Sequence, residues 1–289
     1  MDQRPKDAPT RPVLKYHGGK WRIAPWIISY FPAHRVYVEP FGGGGSVLLR
    51  KGPAEVEVYN DLDGEIVNVF RALRSPESAR RLRAALELTP YARSEFELGY
   101  RPARGCVEQA RRTIVRSWLG FGSTAASGRR AGFQRALLSD KGRRSAWLSH
   151  APALRAAARR LRSVVIEQCD AFDLFERYDS AETLFYVDPP YVPSTWAGGV
   201  YRHELSAERH QQLAQALNGV RGQVVLSGYP SALYDRLYAG WKRHSKTAFC
   251  AAGRYGSAAR EEVVWVGPPR RNCAAHTRVI HRRGAHRTN

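Results

Sequence analysis

The 289 residues include only four cysteines, Cys106, Cys169, Cys250 and Cys273, and no two form a C-x-x-C pair. The nine histidines are scattered, none paired at ligand spacing, and three of them (His276, His281, His286) fall near the end of the chain. A metal centre is therefore not expected, and four reduced thiols of a cytosolic protein are. No apolar run approaches a membrane span, and the first dozen residues are polar and Pro-rich, so neither a spanning helix nor a signal peptide is expected. The G-x-x-x-x-G-K-[ST] phosphate loop is missing. The glycines that do cluster are not spaced G-x-G-x-x-G, which gives a nicotinamide cofactor little support.

Acids are scarce as well. Lys and Arg number 46 against 26 Asp and Glu, a net +20 with a pI near 10.3. Such an excess implies a polyanionic partner held by phosphate contacts and counterion release. It is uneven: residues 101–162 hold fifteen Lys/Arg and two acids. Arg-rich helices also form plain solvated faces, but a local excess of this size favours nucleic acid. From Pro268 onward there are six Arg, three His and no acid, the composition of a disordered tail with non-specific DNA affinity.

Among the features present, Asp188-Pro189-Pro190-Tyr191 is the most telling, because it closes the apolar run Thr183 to Val187. Two prolines remove backbone donors and fix φ, and Pro190 pushes Pro189 toward extended geometry. The Asp188 carboxylate and nearby carbonyls can then face an amine while Tyr191 offers a ring for stacking. A strand ending in a Pro-rich turn with a surface tyrosine would use the same residues. A second signal is the strand-like Arg35 to Val38 running into Glu39-Pro40-Phe41-Gly42-Gly43-Gly44-Gly45-Ser46 and an apolar stretch. Strand, glycine loop and helix start receive ligands outside the carboxyl ends of strands in open α/β sheets. Asp61 lies 19 residues after Gly42, at the tip of the next strand-like run, Val56 to Tyr59. That position suits ribose hydroxyls, or an N-cap for the helix that follows, with Asp63 able to serve as the cap.

Taken in order, Lys15-Tyr16-His17-Gly18-Gly19-Lys20, Glu39 to Ser46, Asn60-Asp61 and Asp188 to Tyr191 resemble the Dam-type, α-group adenine-N6 DNA methyltransferases. The resemblance covers residues 13–75 and 160–267. Val224 to Tyr229 and Arg260 to Trp265 are similar to the family's fifth and closing strands. It implies a Rossmann-like, mostly parallel α/β sheet that binds S-adenosylmethionine. By the resemblance, Tyr16 and Lys20 cradle the cofactor, with a solvated lysine as the alternative for Lys20. Glu39, Phe41, Gly42 and Gly43 line its methionine side, and Asp61 holds its ribose. Asp170 matches the acid near its adenine, or else caps the helix Ala171 to Tyr178. Asp188, Pro189, Pro190 and Tyr191 match the catalytic motif.

The strand–helix rhythm of residues 35–75 and 160–240 argues a largely parallel sheet. Residues 76–159 break it: they are helical and basic, with a Gly/Ser-rich centre at Gly120 to Gly128. In the resembled family this insert carries target recognition, so Arg116, Arg129, Arg130 and Arg135 are candidate DNA contacts. Phosphate positioning is favoured over bidentate guanine contacts for Arg129 and Arg130. The stretch Trp118 to Phe133 lacks the Asn-rich loop of the Dam branch, which speaks against a GATC target. The acid at position 188 fits adenine, where cytosine-N4 enzymes usually carry Ser. The expectation is a site-specific methyltransferase acting on adenine in double-stranded DNA, in a bacterial or phage-like cytoplasm. RNA adenine or DNA cytosine-N4 methylation and a non-catalytic DNA-binding protein are the alternatives. Oligomeric state stays open.

Overall fold

The computed structural model describes residues 8–134, 141–192, 202–250 and 258–269. Seven strands, β1 (Val36–Glu39), β2 (Val56–Asn60), β3 (Val165–Glu167), β4 (Thr183–Val187), β5 (Gln223–Gly228), β6 (Lys242–Cys250) and β7 (Ala258–Val266), form one sheet. Their order is β3-β2-β1-β4-β5-β7-β6. The first five are parallel, and β7 is antiparallel to both β5 and β6.

Successive residues of a strand face opposite sides of a sheet, and both sides here are covered. Tyr37, Tyr59, Leu184, Tyr186, Val225 and Val264 belong to one apolar cluster, while Val38, Val58, Phe185, Val187, Leu226 and Trp265 belong to the other. Burial on both faces is why β1, β4 and β5 read as unbroken apolar runs rather than alternating ones. The second cluster takes in the helices Ala171–Tyr178, Ala207–Gly219 and Ala232–Leu237. Each has a side-chain N-cap: Asp170 accepts from Phe172 N, Ser206 from Arg209 N and Ser231 from Tyr234 N.

The first cluster joins the sheet to the helix Gly64–Arg74 and to the helices between β2 and β3: Pro76–Glu87, Arg93–Leu98, Cys106–Leu119, Lys141–Leu148 and His150–Leu161. Leu82, Ile114, Trp118, Trp147 and Leu154 are buried in the same cluster as Tyr37 and Tyr59, so these helices and the sheet share one core. The amino-terminal segment is pinned to this helical layer. Lys15 N donates to Ser117 Oγ at 2.8 Å, and Trp118 Nε1 to Val13 O at 2.9 Å.

Two strands carry little signal in the sequence. β3 is three residues long, and β6 begins Lys-Arg-His-Ser-Lys, a polar run tolerated because it forms the outer edge of the sheet. Among the described residues no helix is long and apolar enough to cross a membrane.

Connections from β1 run one way, to β2, and those from β4 the other way, to β5. The carboxyl ends of these neighbours therefore flank a topological switch point, where open α/β sheets form a ligand crevice. Glu39 ends β1 and Asp188 follows β4.

Candidate active site

A cleft of about 1050 Å³, counting the open solvent at its mouth, lies at this switch point. Its lining includes Tyr16, His17, Lys20, Glu39, Phe41, Gly42, Gly43, Asp61, Asp170, Phe172, Asp188 and Pro190. All eight cofactor-binding candidates are thus brought together with Asp188.

The glycine loop is clamped between two tyrosines. A Cβ on Gly42 would stand 2.2 Å from Tyr59 Cε2, and one on Gly43 2.7 Å from Tyr16 Cε1. Gly43 also has φ of +47°, a left-handed conformation that side chains disfavour. The close approach that demands glycine here is made by these rings. Tyr59 stacks on Phe70 at 4.3 Å and donates its hydroxyl to Gly43 O at 2.7 Å, fixing the loop from below.

Glu39 is 2% exposed, and its Oε2 accepts from Tyr37 Oη at 2.7 Å and Leu48 N at 3.0 Å. Burial pushes this carboxyl up to about 8; the Tyr37 and Leu48 donors oppose the shift and the charge of Asp188 adds to it. Asp61 is likewise raised, to about 6, by desolvation, against the pull of backbone donors from Asp63 and Gly43 at 2.8 Å each. Asp63 caps the helix Gly64–Arg74 through Glu65 N, so the capping role offered as an alternative for Asp61 belongs to Asp63. Asn60 ties three loops together, donating to Pro40 O and Cys169 O and accepting from Cys169 N.

At the far end of the cleft, Asp170 caps its helix and pairs with Arg209, whose guanidinium lies 3.9 Å from the Phe172 ring centroid. Both roles offered for Asp170 are compatible with that position, since the residue also lines the cleft.

Lys20 is not a solvated lysine. It is 3% exposed, and its ammonium donates to Gly18 O at 2.8 Å, Tyr191 Oη at 2.9 Å and Asp188 at 2.9 and 3.0 Å. Ser227 Oγ, itself bonded to Tyr186 Oη, donates to Asp188 Oδ1 at 2.8 Å. Asp188 is thereby oriented from two sides, and Ser227, at the carboxyl end of β5, is a site residue that sequence reasoning passed over. Tyr191 differs from expectation. It is 6% exposed and is not among the residues lining the cleft; its ring stacks on Tyr229 with centroids 4.1 Å apart. The Lys20 ammonium is 5.0 Å from the Tyr191 centroid but 2.9 Å from the hydroxyl, so it sits off the ring edge in a hydrogen bond and not over the face. Pro189 is buried beside it and Pro190 is half-buried.

The DNA-contact candidates divide. Arg129 and Arg130 are exposed, Arg130 packing on the Tyr100 ring at 5.0 Å. Their loop adjoins the cleft: Gly128 packs against Arg202, and Ser123 Oγ lies 3.3 Å from His17 Nδ1. Arg116 must be corrected. It is 2% exposed, pairs with Glu65 and donates to Ala125 O, Ala126 O and Gly99 O, which leaves its guanidinium no route to a phosphate. Arg135 lies outside the described residues.

Among the described residues no group of three or more His, Cys, Asp or Glu is placed to hold a metal ion. The donor set instead suits an organic cation carrying a flat ring, with buried Glu39 and half-buried Asp61 at one end and Phe172 with Asp170 at the other. A model of the D12 class of N6 adenine-specific DNA methyltransferases matches residues 16–251. The chain belongs to this family. Relatives of the D12-class chain carry related names. It is 25% identical over 252 residues to the DNA adenine methylase of Haemophilus influenzae, covering 80% of this chain and 84% of that protein. A 64-residue stretch, 22% of this chain, is 33% identical to the DNA N-6-adenine-methyltransferase of Escherichia phage P1. Another of 69 residues, 23% of this chain, is 35% identical to the type II methyltransferase M1.LlaDCHI of Lactococcus lactis subsp. cremoris. These two matches span only 8% and 24% of the phage and lactococcal proteins.

Proposed function

We propose that this protein transfers the methyl group of S-adenosylmethionine to the exocyclic N6 amine of adenine in double-stranded DNA. The observation that carries this is Asp188, fixed by Lys20 and Ser227 at the end of β4, across the cleft from Glu39 and the glycine loop of β1. Bound there, S-adenosylmethionine supplies an electrophilic methyl on a sulfonium. Glu39 holds its ammonium, Asp61 its ribose hydroxyls, and Asp170 with Phe172 its adenine.

The amine of adenine is a poor nucleophile because its lone pair is shared with the ring. Asp188, accepting a hydrogen bond from that amine, favours the pyramidal nitrogen on which positive charge develops. Holding both partners in one cleft supplies much of the rate by orientation. The target base must leave the duplex to reach the cleft. Tyr191 receives it, which requires the largely buried ring to be uncovered. The basic insert, residues 76–159, positions the duplex, with Arg129 and Arg130 on phosphates near the cleft mouth. The setting is a bacterial or phage-type cytoplasm.

Asp188→Asn is the direct test. It keeps shape and DNA affinity and removes the anionic acceptor, so methyl transfer should fall by two or more orders of magnitude with duplex binding within about twofold. Retained turnover would sink the catalytic assignment.

A further inference from the structure

Glu262 on β7 is a buried acid for which the chemistry above has no use. It is 4% exposed, and its Oε2 accepts no hydrogen bond among the described residues. That oxygen lies 4.0 Å from Lys20 Nζ. An ammonium has three N–H donors, and those of Lys20 already serve Gly18 O, Tyr191 Oη and the Asp188 carboxylate. Glu262 is thus a fourth partner within ion-pairing range of a saturated donor. Lys20 can turn to it only by giving up another acceptor.

We propose that Glu262 is a positioning residue for methyl transfer: it competes with Asp188 for the Lys20 ammonium and so sets how freely Asp188 accepts the hydrogen bond of the incoming amine. The inference rests on Asp188 being that acceptor. With Glu262 neutral, Lys20 stays on Asp188 and Tyr191, the arrangement described above. With Glu262 ionised, the ammonium is drawn toward β7, and the N–H that served an Asp188 oxygen turns to Glu262.

The charged groups around Glu262 are Lys20, Asp188 and Arg260, with Lys246 opposite it on β6. Burial pushes its carboxyl up to about 7, Lys20 and Arg260 opposing and Asp188 adding to the rise. Its ionisation therefore falls in the neutral range, and turnover should rise with pH through about 7.

The test compares the pH profile of kcat for methyl transfer to duplex DNA in the wild type and in Glu262→Gln, an isosteric change that cannot ionise. The expected result is loss of the limb near pH 7 and a kcat at pH 8 lower by on the order of tenfold, the worth of one redistributed charge-assisted hydrogen bond. KM for cofactor should be unchanged, and Tm should not fall, since glutamine removes the cost of ionising a buried carboxyl. Glu262→Asp should keep a limb at a displaced pH, and it serves as the second variant if the glutamine protein does not fold. A Glu262→Gln profile matching the wild type overturns the proposal. So does a loss at every pH with raised KM and lowered Tm, which marks a packing role, or a Glu262→Asp limb that neither weakens nor moves. A wild type that transfers no methyl to DNA refutes the underlying role of Asp188 and takes this inference with it.

Discussion

Replacing Arg116 by Met separates a structural arginine from a DNA contact. Methionine fills similar volume along the stem and lacks the charge. In the native fold the guanidinium closes a ring of acceptors: Glu65, Ala125 O at 2.9 Å, Ala126 O at 2.8 Å and Gly99 O at 3.3 Å. Truncating one partner of a buried pair costs about 3–5 kcal/mol. Here Glu65 is 31% exposed and Arg202 stays within 3.4 Å of it, so the orphaned charge is partly solvated and partly neutralised, which points to the lower end. The three carbonyls lose a donor, which adds to the cost unless water replaces it. A net loss of about 3 kcal/mol is therefore expected, read as a lowered urea midpoint with an unchanged slope. The salt dependence of duplex binding should not change, because no phosphate contact is lost. A phosphate contact would show the opposite pattern: stability within about 0.5 kcal/mol and a salt slope smaller by about 0.9. That pattern would refute the buried assignment.

Two further outcomes follow from the cleft. Burial pushes the Glu39 carboxyl up to about 8 in the free protein, and it pairs with a cation when the cofactor binds, so cofactor affinity should strengthen as pH rises toward 8. Between pH 6 and 8 calorimetry should show Kd falling by about tenfold or more, and Glu39→Gln should bind weakly with no such slope; a pH-independent wild-type Kd contradicts the pairing. Gly42→Ala puts a methyl 2.2 Å from the Tyr59 ring, which is held by Phe70 and Gly43. Overpacking of this kind costs about 1–3 kcal/mol, and Tm and cofactor affinity should fall together; an unchanged Tm would mean that the loop is not clamped.

Much of this arrangement was legible because it rests on short-range chemistry. The strand before Glu39, the glycine loop, the acid at the tip of β2 and the Asp-Pro-Pro-Tyr turn each declare a local geometry. The sheet's switch point then brings them to one cleft. What stayed hidden depends on direction or on distant neighbours. Lys20 looked able to reach cofactor or solvent, because a long flexible side chain carries no information about where it points; tertiary packing turned it under Asp188. Arg116 sat in the most basic stretch, yet the inward face of the helix Cys106–Leu119 buries it, and net charge does not register that face. Glu262 left one trace: it lies two residues before Val264, and alternation places both on one buried face. β6 left none, since an edge strand needs no apolar side facing outward.

The central claim is most directly tested by supplying S-adenosylmethionine labelled in its methyl group together with unmethylated duplex DNA, then separating the product nucleosides. Label in N6-methyladenine is the predicted result. Label in a cytosine product, or label in RNA and none in DNA, contradicts it.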